Sequence, residues 1–144
     1  MLTALSGGSY LLMIGALLGL FLTHSVFSPH LMVITAQLAA LGLIIWARIS
    51  FGRRSFHVTA KPTDGGLVKS GPYRFIRHPI YTAVSLFAWA GALAHPTLVA
   101  GLLAILVLVA SLIRLLAEEH LLVMRYTEYR EYAANTKRML PYVF

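Results

Sequence analysis

Three charged side chains stand close together late in the sequence, directly after a long uncharged run. Arg114, Glu118 and Glu119 follow residues 80–113, which contain no Lys, Arg, Asp or Glu. Arg114 and Glu118 are four residues apart, so a helix would place them on one face. The plainer interpretation is an ion pair that anchors the end of a helix. The other is a pair of polar groups that face a cavity in a helix bundle and bind a ligand.

A second cluster of polar side chains surrounds a Gly-Pro turn. Residues 71–81 read Gly-Pro-Tyr-Arg-Phe-Ile-Arg-His-Pro-Ile-Tyr, which brings basic, imidazole and phenol groups to the start of an apolar run. Backbone N–H groups at the start of a helix can bind a carboxylate. The same residue types also favour the boundary between lipid and water. Spacing alone therefore leaves a binding site and an interfacial anchor both open.

The elements that carry these clusters are predicted to be membrane helices. The chain has 144 residues, of which 58% are hydrophobic and 12% are charged, against roughly 25% charged in soluble domains. Residues 1–47 and 80–113 contain no charged side chain, and each run is long enough for two helices that cross a bilayer. We therefore predict an all-α integral membrane protein with about four transmembrane helices in two hairpins. The predicted spans are residues 10–27, 31–47, 80–94 and 97–116, with a close helix contact at Gly15 and Gly19.

The remaining segments complete a single predicted domain. Residues 50–79 are rich in glycine, proline and basic side chains, which favours a structured cytoplasmic loop rather than another span. Apolar and charged residues alternate after Glu118, which predicts a C-terminal amphipathic helix. The domain thus divides into a first hairpin (1–49), a cytoplasmic loop (50–79), a second hairpin (80–117) and a C-terminal helix with its tail (118–144).

The distribution of charge predicts the orientation of the chain. All twelve Lys and Arg residues fall within residues 48–77 or 114–138, so the positive-inside rule puts both segments and both termini in the cytoplasm. In a prokaryote this would be the cytoplasmic membrane. Membrane topology and attraction to anionic lipids account for the net charge of +7, so no nucleic-acid partner is expected. No metal site is predicted, because there is no cysteine and His57, His78 and His120 lack a ligand spacing.

Several of these motifs together resemble the isoprenylcysteine carboxyl methyltransferase family. The matching motifs occur in the same order and at similar separations as in that family, and they lie between residues 65 and 141. They are the run from Gly66 to Tyr73, Arg-His-Pro-Ile-Tyr at residues 77–81, Arg114 with Glu118 and Glu119, and the series Tyr126, Tyr129, Tyr132 followed by Arg138-x-x-Pro141.

The resemblance implies a cofactor and a set of site residues. Members of the family are membrane enzymes that use S-adenosylmethionine, and related groups methylate phospholipid amines or small thiols. The implied partners are membrane lipids and a lipophilic small-molecule or lipid-modified acceptor that enters from the bilayer, and the implied cofactor product is S-adenosylhomocysteine. Arg114 takes the position of an arginine on the acceptor side. The implied cofactor contacts are Leu67, Val68, Tyr73, His78, Pro79, Ile80, Tyr81 and Glu118.

The predicted function is a membrane S-adenosylmethionine-dependent methyltransferase, similar to protein-S-isoprenylcysteine O-methyltransferase, that acts on a carboxylate or another nucleophile. Methyl transfer needs alignment more than a strong acid. We expect the loop at residues 65–73 to close over the cofactor, the start of the third span to receive its carboxylate, and Glu118 to receive its ammonium group or adenine edge. For an acceptor that must lose a proton, His78 or Glu119 is the nearest base.

Two alternatives use the same residues differently. An NADPH-dependent membrane reductase of related architecture would need a basic cluster for the 2′-phosphate, and the sequence shows no additional one. A non-enzymatic lipid-binding membrane scaffold would explain the Arg-His-Pro segment by attraction to anionic lipid alone.

Overall fold

The predicted all-helical fold is confirmed. A computed structural model of the protein describes residues 2–52 and 66–144. Within these two ranges the chain forms helices and turns but no strand, and Ile76 and Lys137 make an isolated parallel bridge. The helices are α1 (Leu2–Leu22), α2 (Leu31–Phe51), a 3₁₀ helix (Gly71–Arg74), α3 (Pro79–Ala94), α4 (Leu98–Arg125) and α5 (Tyr129–Asn135).

Length and composition make this an integral membrane protein. Helices α1, α2 and α4 are each long and apolar enough to cross a bilayer. Helix α3 has 16 residues, or about 24 Å at the usual helical rise, which is shorter than the roughly 30 Å of the hydrocarbon core. Helix α3 packs against both α2 and α4, and α1 packs along α4. The short helix is therefore held between two longer ones.

Small side chains lie where the helices pack together. Ala16, Ala40, Ala83 and Ala104 are almost fully buried, which lets helix backbones approach closely in lipid. Only one of the two glycines expected at such a contact lies there: a Cβ at Gly19 would stand 3.0 Å from Leu103 Cδ2, whereas a Cβ at Gly15 would meet nothing within 4 Å. Gly19 therefore lies at the contact with α4, whereas Gly15 does not face a neighbouring helix.

The boundaries of three spans differ from those predicted. Helix α1 begins at Leu2 rather than at residue 10, and α2 continues to Phe51 rather than ending at residue 47. Helix α1 ends at Leu22 rather than at residue 27, because the Thr23 hydroxyl donates to the Gly19 carbonyl (2.9 Å) and His24 adopts a φ of 54° outside the helical region. Helix α4 continues past residue 116 to Arg125. The amphipathic segment expected after Glu118 is thus divided between the end of α4 and the short helix α5.

The 3₁₀ helix is fixed against the end of α2. Gly71 has a φ of 60°, and a Cβ there would stand 1.9 Å from Ser50 Oγ. The rings of Phe51 and Tyr73 lie 5.9 Å apart. Residues 53–65, which include His57 and Gly65, lie outside the described residues. The predicted cytoplasmic loop is therefore described from Gly66 onward.

Candidate active site

A chain of hydrogen bonds joins α3 to α4 at the end of the bundle where the 3₁₀ helix lies. Arg114 Nε donates to the Tyr81 hydroxyl oxygen (2.6 Å), and the Tyr81 hydroxyl donates to Glu118 Oε1 (2.5 Å). Arg114 Nε also lies 3.3 Å from Glu118 Oε1. Arginine is a donor only, so Tyr81 must accept from Arg114 and point its own proton at Glu118. The direction of this series of hydrogen bonds is therefore fixed, and the series ends at the carboxylate of Glu118.

His78 lies beside this chain, at the residue before α3. Its ring stacks on Tyr81 with centroids 5.7 Å apart, and its Nδ1 lies 3.7 Å from Glu118 Oε2. Its Nε2 is 3.4 Å from Glu119 Oε1, close enough for an ion-pair contact but not aligned for a hydrogen bond. Within the described part of the chain, the buried Nε2 has no hydrogen-bond partner. An atom of this kind is a candidate to bind a ligand or to accept a proton.

Glu119 faces a different set of partners from those of Glu118. Arg77 Nε donates to its Oε1 (2.8 Å) and Arg138 Nε donates to its Oε2 (2.9 Å). Arg77 also donates to the carbonyls of Ala133 (2.8 Å) and Thr136. Both oxygens of Glu119 are therefore engaged by arginines, and the carboxylate joins α4 to the start of α3 and to the C-terminal segment.

The two residues before α3 already use their backbone N–H groups. The N–H of Arg77 donates to the carbonyl of Lys137 (2.7 Å), and that of His78 donates to the carbonyl of Arg138 (2.9 Å). Pro79, at the first helical position, has no N–H. The N–H groups of Ile80 and Tyr81 belong to the first turn, where a helix offers them no carbonyl of its own. These two are the backbone donors that remain for a ligand carboxylate.

Two buried tyrosines connect the 3₁₀ helix to α5. The Tyr132 hydroxyl donates to the Tyr73 carbonyl (2.6 Å). Burial raises the pKa of Tyr132 to about 12. Burial, and then the negative charge of Glu118, raise the pKa of Tyr73 well above its ordinary value. Both phenols therefore stay protonated at physiological pH, and Tyr73 lies within the electrostatic reach of Glu118.

A family comparison gives this geometry a chemical context. The family model of phospholipid methyltransferases matches residues 29–129, which is more than half of the chain. The chain belongs to the phospholipid methyltransferase family. This is a family of membrane methyltransferases related to the isoprenylcysteine carboxyl methyltransferases, and its members generally use S-adenosylmethionine. Comparisons with curated proteins and with solved structures gave no match.

The phospholipid methyltransferase match spans the residues expected to bind the cofactor, and most of these lie together. His78, Tyr81, Glu118, Glu119 and Arg114 form one connected cluster. Pro79 is buried at the start of α3 and Ile80 is half-buried beside it, while Tyr73 is buried in the 3₁₀ helix. Leu67 and Val68 are half-buried in the irregular segment that leads to that helix. The assignment of these residues to a cofactor remains a prediction.

The polar groups of the cluster fit S-adenosylmethionine. The Glu118 side chain is 25% exposed, and its Oε2 lies beyond hydrogen-bond distance of His78 Nδ1. That oxygen can accept from an ammonium group, whereas Oε1 already accepts from Tyr81. The donors of Ile80 and Tyr81 suit a carboxylate. The cluster thus offers an acceptor for an ammonium group and donors for a carboxylate.

Sequence reasoning missed two groups that contact Arg114. The Ser6 carbonyl accepts from Arg114 Nη1 (3.2 Å), and the Tyr10 ring lies 4.7 Å from Arg114 Cζ. Both belong to α1, an uncharged run in which no local pattern marks a site. Arg77 and Arg138 were part of the recognised motifs, but only the fold shows that they share Glu119.

Proposed function

We propose that this methyltransferase uses S-adenosylmethionine to methylate an amine on the headgroup of a membrane phospholipid. The observation that carries the proposal is the placement of Glu118. Tyr81 donates a hydrogen bond to one oxygen of the Glu118 carboxylate, and the other oxygen can still accept one from a ligand. The side chain is partly exposed at the end of a bundle of membrane helices. The family match supports the reaction class.

The residues around Glu118 would hold the cofactor at its amino-acid end. Glu118 Oε2 binds the ammonium group, and the N–H groups of Ile80 and Tyr81 bind the carboxylate. Leu67 and Val68 cover the cofactor from the segment before the 3₁₀ helix, and Tyr73 adds an apolar wall. When bound, the cofactor supplies a methyl group that its sulfonium activates for in-line attack, so the protein contributes chiefly alignment.

The burial and existing partners of Arg114 disfavour a carboxylate acceptor. The Arg114 side chain is 5% exposed, against 25% for Glu118, and two of its nitrogens donate to Tyr81 and Ser6. A carboxylate acceptor that bound Arg114 directly would have to displace these partners. An amine acceptor needs no such change. We therefore propose that Arg114 orients Tyr81 and Glu118, and that carboxyl methylation is not the main reaction.

An amine must lose a proton before or during methyl transfer, and His78 is the proposed base. Its imidazole lies at the start of α3, with Nδ1 3.7 Å from Glu118 and Nε2 3.4 Å from Glu119, and imidazole is the side chain suited to proton transfer near neutral pH. Glu119 is a poorer candidate, because Arg77 and Arg138 occupy both of its oxygens. In the proposed arrangement Glu119 stabilises the protonated imidazole from 3.4 Å.

The proposed site lies at the cytoplasmic surface of the bilayer, within a single domain. The basic segments surround this end of the bundle in the sequence, and such segments face the cytoplasm in most membrane proteins. A phospholipid headgroup in the cytoplasmic leaflet then reaches the site from the side, with its tails still in the lipid. This arrangement explains why a water-insoluble acceptor needs no separate soluble domain.

The proposal is tested by methyl transfer in reconstituted vesicles. Purified protein in phosphatidylcholine vesicles receives S-adenosylmethionine with a tritiated methyl group and one acceptor at a time: phosphatidylethanolamine, N-acetyl-farnesylcysteine or decanethiol. We expect label in methylated phosphatidylethanolamine, identified by mass spectrometry. Glu118→Gln should lose this activity, whereas Glu128→Gln, which changes an exposed residue before α5, should keep it.

Other outcomes of the same assay would overturn the proposal. Label in farnesylcysteine alone would replace the amine by a carboxylate as the acceptor group, and label in decanethiol alone would replace it by a thiol. Oxidation of NADPH by the same vesicles, without methyl transfer to any acceptor, would support the reductase alternative. Vesicle binding with neither reaction would support the scaffold.

A further inference from the structure

Helix α1 lies outside the residues that the family model matches, yet it contacts the centre of the candidate site. The match begins at residue 29, and α1 ends at Leu22. Ser6, Tyr10 and Met13 recur at helical spacing on α1, and Ser111, Arg114 and Glu118 recur on α4. Contacts between the two faces include Ser111 Oγ with Met13 Sδ (3.6 Å) and Arg114 with both Ser6 and Tyr10.

Arg114 is confined on several sides by these contacts. It is 4% exposed, and its Nη1 donates to the Ser6 carbonyl while its guanidinium lies over the Tyr10 ring. A buried guanidinium that loses its partners is costly, so it keeps the position in which these groups are satisfied. A cation held over an aromatic face is further stabilised when water is excluded. The position of Arg114 is therefore set in part by α1.

The position of Arg114 in turn sets the direction of the hydrogen bonds that follow. Because Arg114 Nε donates to Tyr81, the Tyr81 proton points at Glu118 Oε1. Glu118 is thereby held with Oε1 occupied and Oε2 turned towards His78. If Arg114 shifted, Tyr81 would be free to rotate its proton away, and Glu118 would lose both partners of that oxygen.

We infer that Tyr10 is a positioning residue of this site: its ring holds Arg114, and through Arg114 and Tyr81 it orients Glu118 for the cofactor. This inference rests on the proposed cofactor role of Glu118. It makes α1 a functional part of the enzyme rather than only a membrane anchor. The ring face is the important feature of Tyr10, since the contact with Arg114 is made by the ring.

The test compares S-adenosylmethionine binding by variants that change the ring. Isothermal titration of detergent-purified protein should show lower affinity in Tyr10→Leu, by up to roughly 30-fold, because the free energy of a desolvated cation–π contact sets the upper limit of the loss. Tyr10→Phe keeps the ring face and should recover most of that loss. Phe21→Leu is the matched control, because it makes a similar change at a 58% exposed position of the same helix.

Two further measurements separate positioning from a general loss of stability. In an Arg114→Gln background the Tyr10→Leu change should have no further effect on affinity, because the cation that the ring holds is absent. Stepwise fluorinated phenylalanine at position 10 keeps the shape of the ring while weakening its negative face, so affinity should fall with each fluorine even if Tyr10→Leu does not fold.

The results also distinguish the inference from the proposed function. If the wild type binds and the fluorinated series or Tyr10→Leu binds equally well, the role of Tyr10 is overturned and the cofactor site stands. An equal loss in the Arg114→Gln background would overturn it as well. If the wild type itself does not bind, the cofactor role of Glu118 fails, and the role of Tyr10 fails with it.

Discussion

The hydroxyl of Tyr81 on α3 donates a 2.5 Å hydrogen bond to Glu118 on α4. This bond joins a residue near the start of one helix to a residue late in another, across 37 positions of sequence. It places a carboxylate 3.7 Å from the imidazole of His78, the residue before α3. The candidate site therefore depends on the packing of α3 against α4, and changes at this contact should alter both binding and stability.

Tyr81→Phe should weaken cofactor use while leaving the fold intact. The variant keeps the ring that stacks on His78 but removes the hydroxyl between Arg114 and Glu118. We expect a loss of about 1.5–3 kcal/mol in the binding free energy of the cofactor, which is typical of hydrogen bonds to charged groups. This loss should be measured as a higher KM for S-adenosylmethionine. Tyr142→Phe, at an 89% exposed position, is the control. An unchanged KM would show that Glu118 does not need Tyr81.

Gly71→Ala should detach the 3₁₀ helix from α2. The new Cβ would stand 1.9 Å from Ser50 Oγ, and residue 71 has a φ of 60°, which alanine adopts only with strain. We therefore expect the free energy of unfolding to fall by about 2 kcal/mol or more. Gly15→Ala is the matched control, since its Cβ meets nothing within 4 Å and alanine favours a helix. Thermal unfolding in detergent compares the two. Equal midpoints would contradict the close contact at Gly71.

Tyr132→Phe should lower stability by about 1 kcal/mol through loss of the hydrogen bond to the Tyr73 carbonyl. The effect should depend on pH, because burial raises the pKa of Tyr132 from 10.0 to about 12. A group with a raised folded-state pKa stabilises the fold fully below its unfolded value and loses that contribution as pH rises through its folded value. The difference in free energy of unfolding between wild type and variant should therefore shrink from pH 10 to 12. A difference that stays constant over this range would contradict the assignment.

Glu119→Gln should act on stability more than on the pH dependence of catalysis. The variant removes the negative charge that faces Arg77 and Arg138. We expect the free energy of unfolding to fall by about 1–3 kcal/mol. Glu131→Gln, at an exposed position in α5, is the control. The pH–rate profile of methyl transfer should keep its acidic limb, because His78 remains as the base, but that limb should move to lower pH because the negative charge 3.4 Å from the imidazole is lost. If the acidic limb of that profile disappeared while the unfolding midpoint stayed constant, Glu119 would be the base after all.

The sequence predicted the fold class because long uncharged runs leave few alternatives to membrane helices. It also predicted that residues 71–81 and Arg114 with Glu118 belong together, but only through the family resemblance. It could not predict that α4 continues to Arg125, since charged residues at a helix end resemble a boundary. In the structure Glu118 and Glu119 point into a polar cluster, which lets the helix continue through them.

The contacts of α1 were beyond the reach of sequence patterns. Ser6 contributes a backbone carbonyl, which every residue type has, and Tyr10 contributes a ring face that is common at membrane boundaries. Helical geometry does predict that the neighbours Glu118 and Glu119 point about 100° apart, but only the fold shows that Glu118 faces Tyr81 while Glu119 faces Arg77. Such roles follow from tertiary packing rather than from residue type.

The most direct test of the central claim is the binding of S-adenosylmethionine to the purified protein, measured by isothermal titration for wild type, Glu118→Gln and the control Glu128→Gln. We predict saturable binding by wild type and by the control, and an affinity about 10- to 100-fold lower in Glu118→Gln, as expected for one lost charge-assisted bond. Binding by Glu118→Gln as tight as that of wild type, with all three proteins folded, would contradict the proposed site. No binding by the wild type in lipid would contradict the methyltransferase assignment itself.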